Sequence, residues 1–120
     1  MTRSIRAAIA LVGVAALVGA CGSSAAPAIS AGGGSSAAID ISGFAFKTTS
    51  LEVTRGSTVT WSNKDGTTHT VSSGTPPTKD RKFDGQVPGG STFSVTFSDA
   101  GTFRYFCAIH NSMTGTIVVK

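Results

Sequence analysis

An all-β sandwich or small barrel is the fold class this sequence predicts, and three observations carry the prediction. Short runs in which apolar residues alternate with Ser, Thr or charged residues recur from Ile39 to the last residue. Turn chemistry interrupts them often, with fifteen Gly in 120 residues and pairs such as Pro76-Pro77 and Gly89-Gly90. Helical periodicity is missing from the same region. Period two with frequent turns is the pattern of strands buried on one face. Seven to eight such strands make a sandwich or barrel, and the length suggests one domain.

Each element follows from local pattern. Ile39 and Ile41 share one face, while Phe44 and Phe46 have the other parity; Gly43 between them reads as a bulge or bend. Leu51 and Val53 alternate with Glu52 and Thr54 until Arg55-Gly56 turns the chain. Val59 and Trp61 alternate with Thr58 and Thr60, a strand with one buried face. After a turn over residues 63–66, a short segment runs from His69 to Val71. Residues 75–77 and 87–90 are turns, with Lys82-Phe83-Asp84 as a short strand between them. Phe93, Val95 and Phe97 alternate with Ser and Thr. Phe103, Tyr105 and Cys107 share a face, which aims the thiol into the end of the sandwich, and Ile117 with Val119 closes the chain.

Ahead of the folded part lies a targeting pattern. Met1 to Arg6 is a basic segment, and residues 7–18 form an apolar run of about a dozen, shorter than the roughly 20 a spanning helix needs. It ends in Leu17-Val18-Gly19-Ala20-Cys21, which resembles the lipobox of bacterial lipoproteins. That resemblance implies a signal over 1–20, cut before Cys21, with a lipid on the Cys21 thiol. The alternatives are an ordinary signal with an incidental Cys21, or an uncleaved anchor. Residues 21–38 are then Cys21 followed by Gly, Ser, Ala, one Pro and Ile29 without charge, a composition that behaves as a flexible linker. The folded domain is accordingly expected over 39–120.

Charge excludes one large class of function. Ten Lys and Arg stand against six Asp and Glu, and removal of Arg3 and Arg6 with the signal leaves eight against six, net +2. That is too little to argue for nucleic acid, and the positive residues do not cluster with aromatics as a strand-binding groove needs. Lys79, Arg81 and Lys82 form a small basic group that either steers an acidic partner or is a solvated loop. Two cysteines make no disulfide framework.

Chemistry concentrates near the C-terminus. Cys107, His110 and Met113 stand three residues apart, directly after the aromatic strand, and His69 is the only other histidine. Two imidazoles, one thiolate and one thioether form the ligand set of a trigonal His₂Cys copper site with a long axial Met. Singly, each residue has a plainer reading: a loop histidine, a small buried thiol, a packed Met. Zinc favours thiolate, imidazole and carboxylate and is served poorly by a thioether, so the set as a whole points to copper.

Residues 37–120 resemble the small blue copper proteins, cupredoxins of the plastocyanin and amicyanin type. The resemblance rests on the Cys-x-x-His-x-x-Met spacing, on Gly56-Ser57-Thr58-Val59-Thr60-Trp61-Ser62-Asn63, and on Gly101-Thr102-Phe103-Arg104-Tyr105-Phe106-Cys107. It implies an eight-stranded Greek-key sandwich holding one copper, with His69, Cys107 and His110 equatorial and Met113 axial. Departures occur beside the ligands. The family commonly has Pro before the first His and Asn after it, where this chain has Thr68 and Thr70, and the ligand loop here lacks proline. Asn63 and Thr70 are expected as the residues that orient the ligands by hydrogen bonds.

The functional expectation is a monomeric, lipid-anchored, extracytoplasmic one-electron carrier cycling Cu(II) and Cu(I). Its redox partners would dock near His110, against Ala108, Ile109 and Pro88-Gly89-Gly90. The alternative is a copper-handling module that sequesters or delivers the metal without redox turnover; ready surrender of Cu(I) to chelators would mark it. An enzyme is not expected: the thiol points inward, and two histidines cannot also build a second metal site.

Overall fold

The computed structural model of the chain describes residues 34–120. The expected signal, Cys21 and the linker up to residue 33 lie outside the described residues. Among the described residues there are eight strands and no helix: β1 (Ser36–Ile41), β2 (Ser50–Val53), β3 (Ser57–Asn63), β4 (His69–Thr75), β5 (Thr78–Val87), β6 (Thr92–Phe97), β7 (Gly101–Phe106) and β8 (Thr114–Val119). They form a three-stranded sheet, ordered β1-β3-β6, and a five-stranded sheet, ordered β2-β8-β7-β4-β5. The two pack face to face as a cupredoxin-like Greek-key sandwich. Pairs β1–β3 and β2–β8 are parallel, and the remaining ladders are antiparallel.

The alternating residues fill the interior as their parity demands. Ile39, Ile41, Val59, Trp61, Val71, Val87 and Ile117 are fully buried. Trp61 lies at the centre, with its ring edge-on to Tyr105 at 5.2 Å and tilted against Phe83 and Phe93 at 6.1 and 6.2 Å. Opposite Tyr105 on the neighbouring strand stands Gly115, where a Cβ would enter the tyrosine ring. A residue without a side chain lets that ring lie flat across β8 and reach Phe46 at 4.8 Å. Burial pushes the Tyr105 hydroxyl up to about 12.

Three local features differ from the sequence pattern. Strand β1 begins at Ser36, ahead of Ile39, because its parallel ladder to β3 pairs backbone groups from Ser36↔Thr58 onward and asks for no apolar side chain there. Of the bulge or bend expected at Gly43, the structure shows a bend, and it lies outside any strand. The chain leaves β1 in a tight turn, with Ser42 N–H donating to the Ala45 carbonyl at 3.0 Å, and an isolated bridge pairs Ile41 with Phe46. Phe46 is therefore buried, whereas Phe44 stands at 53 % exposure. Finally, β5 runs ten residues rather than three, because pairing with β4 at the sheet edge tolerates its charged, exposed residues.

Beside the Ser72/Gly74 irregularity, the Asp84 carboxylate accepts hydrogen bonds from Lys79 Nζ at 2.7 Å and Ser72 Oγ at 2.6 Å. Lys79 first and Ser72 second hold its pKa below the usual 3.8. A carboxyl depressed in the folded state contributes stability that is present above its unfolded pKa and lost as pH falls through the folded value. Thermal melts between neutral pH and about pH 2 should therefore fall more steeply below about pH 4 in the wild type than in Asp84→Asn. Equal acid slopes would remove Asp84 from the account.

Candidate metal centre

Strand register brings the chemistry-bearing residues to one pole. Ile41 at the end of β1 pairs with Asn63 at the end of β3, His69 at the start of β4 pairs with Val87 at the end of β5, and Phe106 at the end of β7 pairs with Thr114. The loops leaving these positions therefore lie at the same end of the sandwich. Cys107, next after β7, keeps the inward parity of Phe103 and Tyr105 and is fully buried. His69 is fully buried too, whereas His110 is half-buried on the loop.

The donor atoms converge. His69 Nδ1 lies 3.9 Å and His110 Nδ1 3.7 Å from Cys107 Sγ. One ligand atom from each of the three residues falls within 4.8 Å of the others. Bonds of about 2.0 Å to nitrogen and about 2.3 Å to a thiolate, at trigonal angles, separate nitrogen and sulfur by roughly 3.7 Å. The two nitrogen–sulfur separations lie close to that requirement, so the three side chains form a candidate site for a single metal ion. Met113 is buried at 2 % exposure. Its backbone is fastened beside the thiol, with Cys107 N–H donating to the Met113 carbonyl at 3.0 Å and Met113 N–H to the His110 carbonyl at 2.9 Å. Those two bonds close residues 107–113 into a compact loop without the help of proline.

Thr70 and Asn63 tie the loops together. The Thr70 N–H donates to Cys107 Sγ at 3.3 Å, and Thr70 Oγ1 accepts from the Ala108 N–H at 2.7 Å. The short hydroxyl thus bridges β4 to the ligand loop, since both strands belong to one sheet and approach closely. Asn63 Nδ2 donates to the Thr67 and Val87 carbonyls, both at 2.8 Å, and its Oδ1 accepts the Asp65 N–H at 2.9 Å. It shapes the turn that delivers His69.

Two residues at this pole carry no mark in the sequence pattern. Asp65 Oδ2 lies 2.9 Å from His69 Nε2, the ring nitrogen turned away from the thiol. A donor Nε2–H leaves Nδ1 with its lone pair toward Cys107, the tautomer a metal ligand requires. The backbone N–H groups of Phe44 and then Gly43, with a smaller contribution from His69, hold the Asp65 carboxyl below the usual range. Phe44 meets both imidazoles edge-on, at 5.4 Å from His69 and 5.0 Å from His110. Aspartate in an Asp-Gly pair reads as turn chemistry, and Phe44 reads as a strand residue. Only the Ser42-Gly43 breaker hinted that Phe44 leaves the strand.

Two exposed apolar side chains flank His110, with polar Asn111 and Ser112 following it on the loop. Phe44 and Ile109, at 53 % and 54 %, are the exposed large hydrophobic residues among those described. Gly89 packs against Asp65 and Gly66, which places the exposed Pro88–Gly90 turn at the same pole. The basic group is elsewhere. Thr75↔Thr78 marks the hairpin end of β4–β5, remote from His69↔Val87, and Lys79 and Lys82 there pair with Asp84 and Asp80 at 2.7 and 3.9 Å.

Comparisons with known proteins agree with this geometry. Residues 34–120 match the family described as copper binding proteins, plastocyanin/azurin family. Amicyanin-alpha of Methylorubrum extorquens is 31% identical over 83 residues, covering 68% of this chain and 70% of the relative. Halocyanin of Natronomonas pharaonis is 37% identical over 83 residues, covering 65% of this chain and 50% of the relative. Among solved structures, a methionine-to-alanine variant of amicyanin in its Cu(I) form superposes with a TM-score of 0.62 at 31% identity, covering 69% of this chain and 80% of that one. A purple cupredoxin from Nitrosopumilus maritimus gives 0.64 at 26% identity, covering 70% of this chain and 99% of that one. The chain belongs to the plastocyanin/azurin family of copper-binding proteins.

Proposed function

We propose that this protein is a one-electron carrier tethered outside the cytoplasm, in which His69, Cys107, His110 and Met113 would hold one copper. The observation that carries the reading is the meeting of two imidazoles and one thiol, within 4.8 Å, at a buried pole beside Met113. Thiolate and thioether are soft ligands suited to copper, and family membership points to the same metal.

Copper, when bound, supplies the one-electron change between Cu(II) and Cu(I). The chain's own residues set the conditions for it. Burial of Cys107 and His69 excludes water from the thiolate and from one imidazole. Thr70 N–H offsets part of the charge on sulfur, and Asp65 fixes the His69 ring. A compact loop and a packed sandwich restrain these groups, so little rearranges when the charge changes. His110, half-buried between Ala108, Ile109 and Phe44, offers its ring edge at the surface as the point of electron entry and exit.

Redox proteins would dock on this rim, now including Phe44 alongside Ile109. Lipid attached to Cys21 would hold the monomer at the outer face of a membrane, with residues 22 onward as the tether. An electron carrier of this kind is not an enzyme.

Addition of Cu(II) to the purified protein at neutral pH tests the site. The expected result is intense visible absorption and a narrow copper hyperfine splitting, both lost in Cys107→Ala. A pale spectrum indifferent to that substitution would contradict the assignment. For docking, Ile109→Glu should slow electron transfer to the native partner several-fold while leaving the visible spectrum unchanged; an unaltered rate would remove Ile109 from the contact surface.

A further inference from the structure

Phe44 breaks two rules at once. Its backbone lies in the left-handed region, at φ 58°, directly after Gly43 at φ 61°, and bulky residues rarely adopt that conformation. Its ring is also 53 % exposed, so core packing does not explain the conformation. What the chain gains is a specific placement, with the ring nearly perpendicular to both imidazoles at interplanar angles of 86° and 85°. The two imidazoles lie 5.1 Å apart, and one aromatic ring spans them.

The conformation has a visible cause. Asp65 Oδ1 accepts the Gly43 N–H at 2.7 Å, and Oδ2 accepts the Phe44 N–H at 3.0 Å. The same Oδ2 lies 2.9 Å from His69 Nε2. Asp65 is itself anchored, through its N–H, to Asn63 Oδ1. One carboxylate therefore joins the turn after β1, the turn after β3 and an imidazole of the candidate metal centre. Consecutive backbone N–H groups around an anion form a concave cradle, a geometry that left-handed residues permit.

We infer that Asp65 and Phe44 act as one clamp that positions both imidazoles before any metal arrives. Asp65 fixes the rotation and tautomer of His69. By gripping the 43–44 backbone, it also sets the Phe44 ring against His69 and His110 and limits their tilt. Both are positioning residues. The clamp rests on the electron-carrier reading only for its effect on potential; its effect on His69 belongs to the metal-free chain. With copper bound, the carboxylate at Nε2–H favours the more positive oxidation state, so it holds the reduction potential down.

The decisive experiment uses nitrogen-15 NMR of the copper-free full chain. The wild type should show a slowly exchanging His69 Nε2–H proton. Asp65→Asn and Phe44→Leu should each accelerate that exchange several-fold, and the double variant should be no worse than the worse single variant. Asp65→Glu, which restores the charge, should recover part of the protection. Unchanged exchange in Phe44→Leu, or strictly additive effects in the double variant, would overturn the clamp. In the copper-loaded protein, Asp65→Asn should raise the reduction potential, and an unchanged potential would refute the charge effect. A wild type that forms no blue copper site would defeat the carrier reading, while the copper-free exchange data would still decide the clamp.

Discussion

A thiol at the buried end of a strand is the constraint on which the rest depends. Cys107 follows β7 with inward parity, so its sulfur sits inside the sandwich pole with no access to bulk water. Charge there is expensive unless it is partnered. The Thr70 N–H supplies one partner, and the two imidazoles approach from the remaining sides. Thr70 can do this because β4 and β7 are neighbours in one sheet, which brings its backbone and hydroxyl against Cys107 and Ala108. Sheet order thus becomes site geometry. A β4 placed at the far edge would leave His69 and Cys107 on strands that are not neighbours, without the Thr70 hydrogen bonds that join them.

Away from that pole, the molecule serves mainly to keep it still. Trp61, Tyr105 and Phe46 stack edge-to-face across the interior, and Gly115 lets the tyrosine ring close onto β8. Tyr105 lies two residues before Cys107 in the same strand, so the packing that immobilises its ring also fixes the direction of the thiol. The turns at the pole are held by side chain to backbone bonds from Asn63 and Asp65. Both residues make those contacts within the chain, with no metal involved.

Much of the fold and of the candidate site was legible because both obey short-range rules. Alternation placed Ile39, Ile41, Val59, Trp61 and Tyr105 inside, and the same parity aimed Cys107 inward. Three-residue spacing put His110 and Met113 on one loop with it. What escaped was set by tertiary contact. Ser36 entered β1 through backbone pairing that leaves no trace in side-chain pattern. Phe44 followed strand parity in sequence, yet its conformation is imposed by a carboxylate twenty-one residues away. Asp65 looked like turn chemistry, and it is part of a turn; its second role beside His69 depends on a hydrogen bond across space. Lys79, Arg81 and Lys82 read equally as a steering group or a solvated loop, and the register of β4 with β5 places that segment at the remote end.

Crystal structures of the copper-free, Cu(I) and Cu(II) forms would test the central claim most directly, namely that the chain builds the site before the metal binds. The account requires His69, Cys107, His110 and Met113 to superpose within coordinate error in all three, with the Thr70–Ala108 and Asp65–His69 hydrogen bonds intact. A copper-free form with Cys107 turned to solvent, or with the 107–113 loop rearranged, would show that the metal creates the site, and the account would fail.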